Sequence, residues 1–348
     1  MRFNSITVAL DMLGCPNRCR HCWLGHSPNA RMGEDDLRFA AESFRPYTDT
    51  LEVFYWYREP DYGDNYREMW KLCGELSDRQ TEHFELVGFW RIVRDPEYVK
   101  WLKDLGLKIA QLTLFGGRET TDRYTGRKGA YDEILRATDI LLENGIAPRI
   151  QVFVNKENIK ELEQVEALIR DLRLEERCTA IGEKFAYFVH QGSCDGENEK
   201  LYGVRVTPSD LEKIPPFTAE HTLRHFGKAS LSEVFGRTEK ELFEELKDDS
   251  STADLAGDDP VFYVDREFNV YPNFTAPAPF WCLGNLKTDG AQAVLKNYSE
   301  NRSVAQHVRA TVPLGEIVRA QGDPESLRLF GKGDYIDYLL NRYCREIV

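Results

Sequence analysis

The sequence predicts an α/β protein, a partial (βα)6 TIM-like barrel followed by a small α+β extension. In the first two-thirds of the chain, six short apolar runs alternate with segments of helical periodicity, which is typical of parallel strands joined by crossover helices. The runs are nearly continuous in apolar residues, which indicates burial on both faces. The alternation stops near residue 190, so we place the barrel in 1–190 and the extension in 191–348.

The elements of the barrel can be assigned in chain order. The predicted strands are 5–12, 51–57, 83–89, 108–115, 148–154 and 181–189. The predicted helices are 34–44, 65–77, 95–105, 129–144 and 157–172. The predicted helix 129–144, for example, stops at Asn144-Gly145, which is a common helix terminus. Six units close only part of the way around a barrel, and a doubly wound sheet is the alternative arrangement.

The extension has a different pattern. It opens with a glycine-rich stretch at 191–200. Residues 230–248 predict one charged amphipathic helix, and 261–271 predict a hairpin that turns at Asp265-Arg266-Glu267. The many aromatic residues of 262–281 favour the core of this hairpin unit over a substrate lid.

Charge and composition exclude some functions. The chain has 58 acidic and 45 basic residues, a net charge of -13, which disfavours binding to a nucleic-acid backbone. The stretch before Cys15 is too short and too weakly apolar to span a membrane, and it lacks a signal-peptide cleavage pattern. We therefore expect a cytoplasmic protein with no membrane partner.

Three of the eight cysteines lie close together directly after the first predicted strand. They form the segment Cys15-Pro-Asn-Arg-Cys19-Arg-His-Cys22. Thiolates are soft ligands that suit iron–sulfur clusters or zinc. Three thiolates leave one iron of a four-iron cubane without a protein ligand, and such an open position can bind a chelating molecule. The alternative is a zinc site completed by His21 or His26.

This cysteine spacing resembles the signature CxxxCxΦC of the radical S-adenosylmethionine (radical SAM) superfamily. In that superfamily the signature follows the first strand of a partial (βα)6 barrel, and Φ is usually aromatic; His21 stands at Φ here. The resemblance covers residues 5–190. It implies that Cys15, Cys19 and Cys22 bind one 4Fe-4S cluster, and that S-adenosyl-L-methionine (SAM) chelates its open iron. It also implies that His21 contacts the adenine.

The resemblance suggests further cofactor contacts. Glu59 lies in Tyr57-Arg58-Glu59-Pro60, where the family commonly has Gly-Gly-Glu-Pro, and would receive the ammonium group of SAM. The two glycines of that motif are missing, and a strand-end role is the alternative. Thr113, Arg149 and Gln151 are candidates for ribose and carboxylate contacts, since their parity points them to the barrel interior. No residue is assigned as catalytic.

The extension is similar to a degenerate SPASM or twitch segment. A hairpin precedes Cys282, but Asn273 stands where the first cysteine of such a segment is expected, and no CxxC pair follows. Four dispersed cysteines could gather around a second cluster: Cys178, Cys194, Cys282 and Cys344. Isolated cysteines are more often small buried hydrophobic residues, so we expect one cluster.

The resemblance implies a redox-active enzyme. It would cleave SAM reductively to a 5'-deoxyadenosyl radical, which abstracts hydrogen from a small molecule or a peptide, with a reductant such as flavodoxin or ferredoxin. Epimerisation, dehydrogenation, carbon–carbon bond formation and methylthiolation remain open. The first strand begins near the N-terminus, so we expect no leader-peptide domain ahead of it. The alternative function is a non-catalytic zinc- or iron–sulfur-binding module, acting as an electron carrier or assembly partner.

Overall fold

The computed structural model describes residues 2–11, 14–24, 32–54, 62–80, 85–272 and 277–348. Its strands are β1 (Phe3–Leu10), β2 (Thr48–Phe54), β3 (Ile109–Leu114), β4 (Ala147–Phe153), β5 (Ala186–His190), β6 (Arg237–Thr238), β7 (Val261–Val264), β8 (Asn269–Tyr271), β9 (Gly284–Asn285) and β10 (Leu329–Phe330). The helices of the barrel part are α1 (Glu34–Phe44), α2 (Tyr66–Leu76), α3 (Phe89–Arg94), α4 (Pro96–Asp104), α5 (Arg118–Thr125), α6 (Ala130–Glu143), α7 (Leu162–Asp171) and α8 (Leu174–Ala180). The later helices are α9 (Pro208–Leu211), α10 (Pro216–Phe226), α11 (Leu231–Phe235), α12 (Glu239–Leu246), α13 (Gly290–Ser299), α14 (Val304–Thr311), α15 (Leu314–Gln321) and α16 (Lys332–Ile347). Across these ranges, no helix is both long and apolar enough to cross a membrane.

Strands β1 to β5 form the wall of a partial barrel. β1 pairs with β2, β3 with β4, and β4 with β5, each in parallel. In the described part of the gap between β2 and β3, Leu86 forms a parallel bridge to Gln111. The predicted fold class, a partial barrel with a C-terminal extension, is confirmed.

The third predicted strand, 83–89, is wrong over the described residues 85–89, where only Leu86 forms an isolated β-bridge. α3 begins at Phe89, because Phe89 and Ile92 bury one face of a helical turn in the core. Residues 83 and 84 lie outside the described ranges. The last predicted helix of the barrel is also shorter than 157–172: a 3-10 turn at Ile159–Glu161 precedes α7.

Strand β3 presents one polar and one apolar face. Along β3, Leu112 and Leu114 are buried in the core, where α6 packs on the strand. Gln111 and Thr113 alternate with them and lie on the opposite face, the barrel interior. This alternation is the one from which the sequence predicted that Thr113 faces the barrel interior.

The open edge of the barrel is covered by α10. The Val189 amide of β5 donates to the Thr222 hydroxyl at 3.1 Å. Thr218 shares a hydrogen bond with the Tyr187 hydroxyl at 3.2 Å, and its own amide donates to the Glu166 carboxylate at 2.9 Å. The first of these contacts satisfies an amide that the edge strand would otherwise leave open.

The extension contributes a strand to the barrel sheet. β7 pairs in parallel with β1 on the side away from β2, so the sheet order is β2-β1-β7-β8-β9. The predicted hairpin is confirmed, because β7 and β8 pair in antiparallel around a turn that begins at Asp265. Phe262, Tyr263 and Trp281 are buried, as expected for a core.

The predicted helix 230–248 is wrong. It is divided into α11 and α12 by β6, which pairs in antiparallel with β10. Gly236 has a φ of 88°, and a Cβ placed there would lie 2.0 Å from the Phe330 carbonyl oxygen. The close approach of β10 therefore breaks the helix.

Candidate functional site

The three clustered cysteines lie in a loop at the carboxyl end of β1, which we call the cysteine loop (residues 14–24). Cys15, Cys19 and Cys22 are each half-buried. The Cys22 amide donates to the Cys19 carbonyl at 3.1 Å, and the Asn17 amide approaches the Cys15 sulfur at 3.4 Å. Because it follows the carboxyl end of β1, the loop lies at the end of the barrel where parallel βα barrels hold their active sites.

The arrangement of the three thiols indicates whether they suit a single metal ion or an iron–sulfur cluster. Within the described ranges, no three His, Cys, Asp or Glu side chains are placed to share one metal ion. The thiolates of a cubane bind different irons, so they surround the cluster and do not converge on one point. Three half-buried thiols in one loop are a donor set that fits such a cluster.

One side of the cysteine loop is fixed by the end of α5. The amides of Arg18 and Arg20 donate to the carbonyls of Thr125 and Tyr124 at 2.8 and 2.9 Å. Gly126 follows with a φ of 68°, and a Cβ there would lie 3.1 Å from the Arg18 carbonyl oxygen. The last carbonyls of the helix thus bind the loop backbone, satisfying groups that a helix end leaves open.

The other side is fixed by the extension. The Glu197 amide donates to the Cys22 carbonyl at 2.8 Å. Gly196, with a φ of 53°, lies so close that an added Cβ would be 2.4 Å from the Trp23 carbonyl oxygen and 2.7 Å from that of Cys22. No side chain fits there without movement of the loop.

A set of buried, hydrogen-bonded side chains links the contact between Gly196 and the cysteine loop to α16. Asn341 of that helix donates to the Asp195 carboxylate at 3.2 Å and accepts from the Trp281 indole at 2.8 Å. The Cys194 amide donates to Asp334 at the start of the same helix. Burial, followed by the negative charge of Asp334, raises the pKa of Asp195 to about 7.

His21 lies within a group of aromatic rings. Its ring centroid is 4.0 Å from that of Phe153 and 4.6 Å from that of Phe115. Burial, with a smaller effect of His190, lowers the pKa of His21 to about 3, so the imidazole is neutral. Its Nδ1 is buried and has no hydrogen-bond partner among the described residues.

His190, at the end of β5, also lies among these aromatic rings and also has a lowered pKa. Its ring centroid is 4.3 Å from that of Phe153. Burial, followed by His225, lowers the pKa of His190 to about 4, and its Nε2 is buried without a partner in the described chain. Together with Tyr124, which stacks on Phe115, these residues form what we call the aromatic layer: His21, Phe115, Tyr124, Phe153 and His190.

Thr113 and Gln151 are paired across β3 and β4, one step below the aromatic layer. Arg149 lies one step further from the cysteine loop, beside Gln111. Its Nε donates to the Gln111 Oε1 at 2.9 Å, and its guanidinium forms an ion pair with Glu85 at 2.6 Å. We call Glu85, Gln111 and Arg149 the polar layer.

The polar layer also determines how the Gln151 amide is oriented. An arginine Nε can only donate, so the atom of Gln111 that meets Arg149 must be the oxygen. The Gln111 Nε2 then donates to the Gln151 Oε1 at 2.6 Å. The Gln151 Nε2 is thereby left as the donor for any further contact.

Three positions named from the sequence lie outside the described residues, namely His26, Glu59 and Asn273. Two candidate residues were missed from the sequence, namely Phe153 and His190. Phe153 has the same strand parity as Gln151, which was the available signal, whereas His190 falls one residue after the predicted strand 181–189. Their role depends on the tertiary contact with His21, which the sequence pattern does not contain.

The dispersed cysteines are protected from solvent to different degrees. Cys178, Cys194 and Cys344 are buried, and Cys282 is half-buried. Burial raises the pKa of Cys178 to about 11 and that of Cys344 to about 12, so both remain protonated thiols at neutral pH. They have the character of small core residues.

A partial parallel barrel with a three-cysteine loop at the carboxyl end of its first strand is the arrangement of a cofactor-dependent barrel enzyme. Residues 11–169 match the radical SAM superfamily, and this segment of the chain belongs to that superfamily. Membership implies a 4Fe-4S cluster and SAM as cofactors. The family predicted from the cysteine spacing is confirmed.

Comparison with other proteins extends the likeness beyond this segment. Two structures of native anSMEcpe, one with bound AdoMet and one with AdoMet and the Cp18Cys peptide, cover 99% of this chain and 100% of their own, at 13% identity and TM-scores of 0.54 and 0.53. These matches show that the chain and anSMEcpe share a fold. The Fe-coproporphyrin III synthase of Methanosarcina barkeri (strain Fusaro / DSM 804) is 33% identical over 84 residues, 24% of this chain and 21% of that relative. The match thus spans about a fifth of the relative's length.

Proposed function

We propose that this chain is an enzyme that binds one 4Fe-4S cluster through Cys15, Cys19 and Cys22 and cleaves SAM reductively. The observation that carries the proposal is the position of these thiols, in a loop fixed on both sides at the carboxyl end of β1. When bound, the cluster and SAM supply a 5'-deoxyadenosyl radical that abstracts hydrogen from the substrate. A small electron-transfer protein, such as flavodoxin or ferredoxin, provides the electron.

The aromatic layer is the proposed site for the adenosyl part of SAM. His21 and His190 each have a buried nitrogen without a partner in the described chain, and a bound ligand would satisfy these atoms. Both imidazoles are neutral because burial lowers their pKa values, so each can donate or accept. The rings of Phe115 and Phe153 provide apolar surface beside them.

The remaining predicted contacts have different roles in this proposal. Gln151 offers its Nε2 as a donor to the ribose or carboxylate oxygens, and Thr113 offers a hydroxyl beside it. Arg149 already has two partners, so we assign it a positioning role, acting on Gln151 through Gln111. Glu59 is retained as the proposed partner of the SAM ammonium.

The substrate is proposed to be a peptide or a small molecule. anSMEcpe was solved with a peptide, and the Methanosarcina barkeri relative is named as a synthase of Fe-coproporphyrin III. Both names favour a modifying or biosynthetic reaction. The type of reaction is not assigned.

Anaerobic reconstitution tests the function. We expect about four irons and four sulfides per chain, and formation of 5'-deoxyadenosine when SAM and dithionite are added. A brown protein that forms no 5'-deoxyadenosine would support an electron carrier. A colourless protein with one zinc per chain would support a zinc-binding module, and either result would overturn the proposal.

A further inference from the structure

Arg127 follows α5 and lies against the cysteine loop. Its Nε donates to the Asn17 Oδ1 at 2.9 Å, between residues 110 positions apart in the sequence. An arginine Nε can only donate, so the Asn17 atom that it meets is the oxygen. The bond therefore joins the Arg127 side chain to a residue that lies between two of the proposed cluster ligands, Cys15 and Cys19.

Asn17 in turn contacts one of these ligands. Its backbone amide lies 3.4 Å from the Cys15 Sγ. Hydrogen bonds to the sulfurs are among the factors that set the reduction potential of an iron–sulfur cluster. The side chain and the amide of Asn17 belong to one residue, so a side chain held by Arg127 also limits the direction in which the amide points.

Arg127 is itself oriented by a carboxylate of α6. Its Nη1 forms an ion pair with Glu133 at 2.6 Å, and Arg94 forms a second ion pair with Glu133 at 2.5 Å. Burial opposes ionisation of Glu133, but the hydrogen bonds from Arg94 and Arg127 outweigh it and lower the pKa of this carboxyl. The Phe89 ring centroid lies 5.3 Å from the central carbon of the Arg127 guanidinium. Two cations around one carboxylate leave a net positive charge beside the loop.

Stability alone does not account for the position of Arg127. Its Nη2 is buried and has no hydrogen-bond partner in the part of the chain that the structure describes. A buried donor without an acceptor costs free energy of folding, and a side chain that served only the fold would be expected to satisfy it. The bond to the cysteine loop therefore indicates a role in the site.

We infer that Arg127 is a positioning residue, which acts through Asn17 on Cys15 and makes the proposed cluster easier to reduce. The inference rests on the proposed function, because it concerns the same cluster. In the step that it serves, the cluster gains one electron from the reductant. Its charge becomes more negative, so a nearby cation favours the reduced form. An ordered amide beside the Cys15 sulfur acts in the same direction.

The test compares Arg127→Gln with a control, Arg177→Gln. Arg177 also pairs with a carboxylate of α6, since its Nη1 lies 2.8 Å from Asp139. It belongs to α8, which precedes β5 and so lies at the amino end of that strand, opposite to the cysteine loop. Each variant removes one guanidinium, so a difference between the two reports position.

The measurement is the reduction potential of the cluster in the reconstituted proteins without SAM, obtained by titration with dithionite and followed by electron paramagnetic resonance. We expect the equilibrium constant for reduction to fall about tenfold in Arg127→Gln, a shift of about 59 mV to more negative potential. Arg177→Gln should keep the wild-type potential. A wild-type potential in Arg127→Gln, or equal shifts in both variants, would overturn the inference.

Asn17→Ala tests whether Arg127 acts through Asn17. This variant keeps the backbone amide but loses the side chain that Arg127 holds, so we expect a shift in the same direction. The double variant should shift no further than Arg127→Gln, because both changes break the same link. Shifts that add would assign the effect to the charge of Arg127 alone and would overturn the positioning role. If Arg127→Gln folds but loads no cluster, Asn17→Ala decides, and a wild-type potential in it would overturn the inference.

These outcomes are distinct from those that test the proposed function. The titration contains no SAM, so the potentials still decide the inference if a wild type with four irons forms no 5'-deoxyadenosine. Wild-type potentials in Arg127→Gln and Asn17→Ala, together with normal formation of 5'-deoxyadenosine, would overturn the inference alone. A wild type that loads no four-iron cluster would overturn both. Weaker SAM binding in Arg127→Gln at an unchanged potential would make Arg127 a ligand of SAM and would also overturn the inference.

Discussion

The polar layer and the aromatic layer lie at opposite depths of the same barrel interior, and they differ in how their polar atoms are bonded. In the polar layer, Glu85, Arg149 and Gln111 are joined to one another. In the aromatic layer, a ring nitrogen of His21 and one of His190 are buried without a partner in the described chain. A buried polar atom left unpaired costs about 1–3 kcal/mol. The polar layer therefore supports the fold, whereas the aromatic layer is where we propose that a ligand binds.

The largest expected effect concerns the cysteine loop next to the aromatic layer. We expect Cys15→Ala, Cys19→Ala and Cys22→Ala each to abolish the visible absorbance of the cluster, because two thiolates do not hold a cubane. Iron should fall from about four per chain to near zero, while the far-ultraviolet circular dichroism remains that of the wild type. A full cluster in any one variant would show that the loop is not the ligand set.

The next effect tests whether the extension positions the cysteine loop. In Gly196→Ala the new methyl group would meet the carbonyl oxygens of Cys22 and Trp23 at 2.7 and 2.4 Å, so the loop must move. We expect lower iron content after reconstitution and a loss of stability of about 2–4 kcal/mol, measured by urea unfolding. Gly227→Ala is the control, because Gly227 has a similar φ of 62° and open space around it. Its cost should be about 1 kcal/mol with no loss of iron.

A pair of substitutions compares the two layers directly. His190→Phe removes an unpaired buried nitrogen, so the protein without SAM should be as stable as the wild type or more stable, by up to about 1–2 kcal/mol. Its affinity for SAM should fall about tenfold. Gln111→Leu should instead lower stability by about 1–3 kcal/mol, because the Arg149 Nε and the Gln151 Oε1 each lose the hydrogen bond that they form with Gln111. Equal losses of stability in the two variants would remove the distinction between the layers.

The smallest expected effect is a pH dependence of the free energy of unfolding, caused by two buried carboxyl groups: Asp195, which precedes Gly196, and Asp337 of α16. Burial raises the pKa of Asp195 to about 7 and that of Asp337 to about 6, above the unfolded value of about 4. The folded state therefore holds protons on these two carboxyls that the unfolded state releases, so their contribution to stability increases as pH falls from 8 towards 5. His21 and His190 act in the opposite direction, because their pKa values in the folded state lie below the unfolded value of about 6.5. The measurement is therefore the difference in urea midpoint between the wild type and Asp195→Asn at the two pH values: the wild type should gain stability relative to the variant as pH falls, and a constant difference would assign the effect to Asp337 alone.

The sequence predicted the parts of the molecule that depend on local patterns. The bounds of α1, the cysteine spacing and the shared parity of Thr113 and Gln151 all follow from short-range periodicity. The contact of Gly196 with the cysteine loop does not, because it joins residues about 170 positions apart. The break between α11 and α12 was missed for the same reason, since the backbone that causes it belongs to Phe330.

The pairing of β7 with β1 limits how the chain can be divided. β1 carries the cysteine loop at its end, and one of its two edges is covered by a strand from the last third of the sequence. A chain cut after residue 190 would leave Thr7 to Leu10 with unpaired amides and carbonyls on that edge. Exposed edges of this kind pair with other chains and aggregate. A minimal version of this protein that keeps its cysteine loop in place must therefore retain the hairpin of β7 and β8.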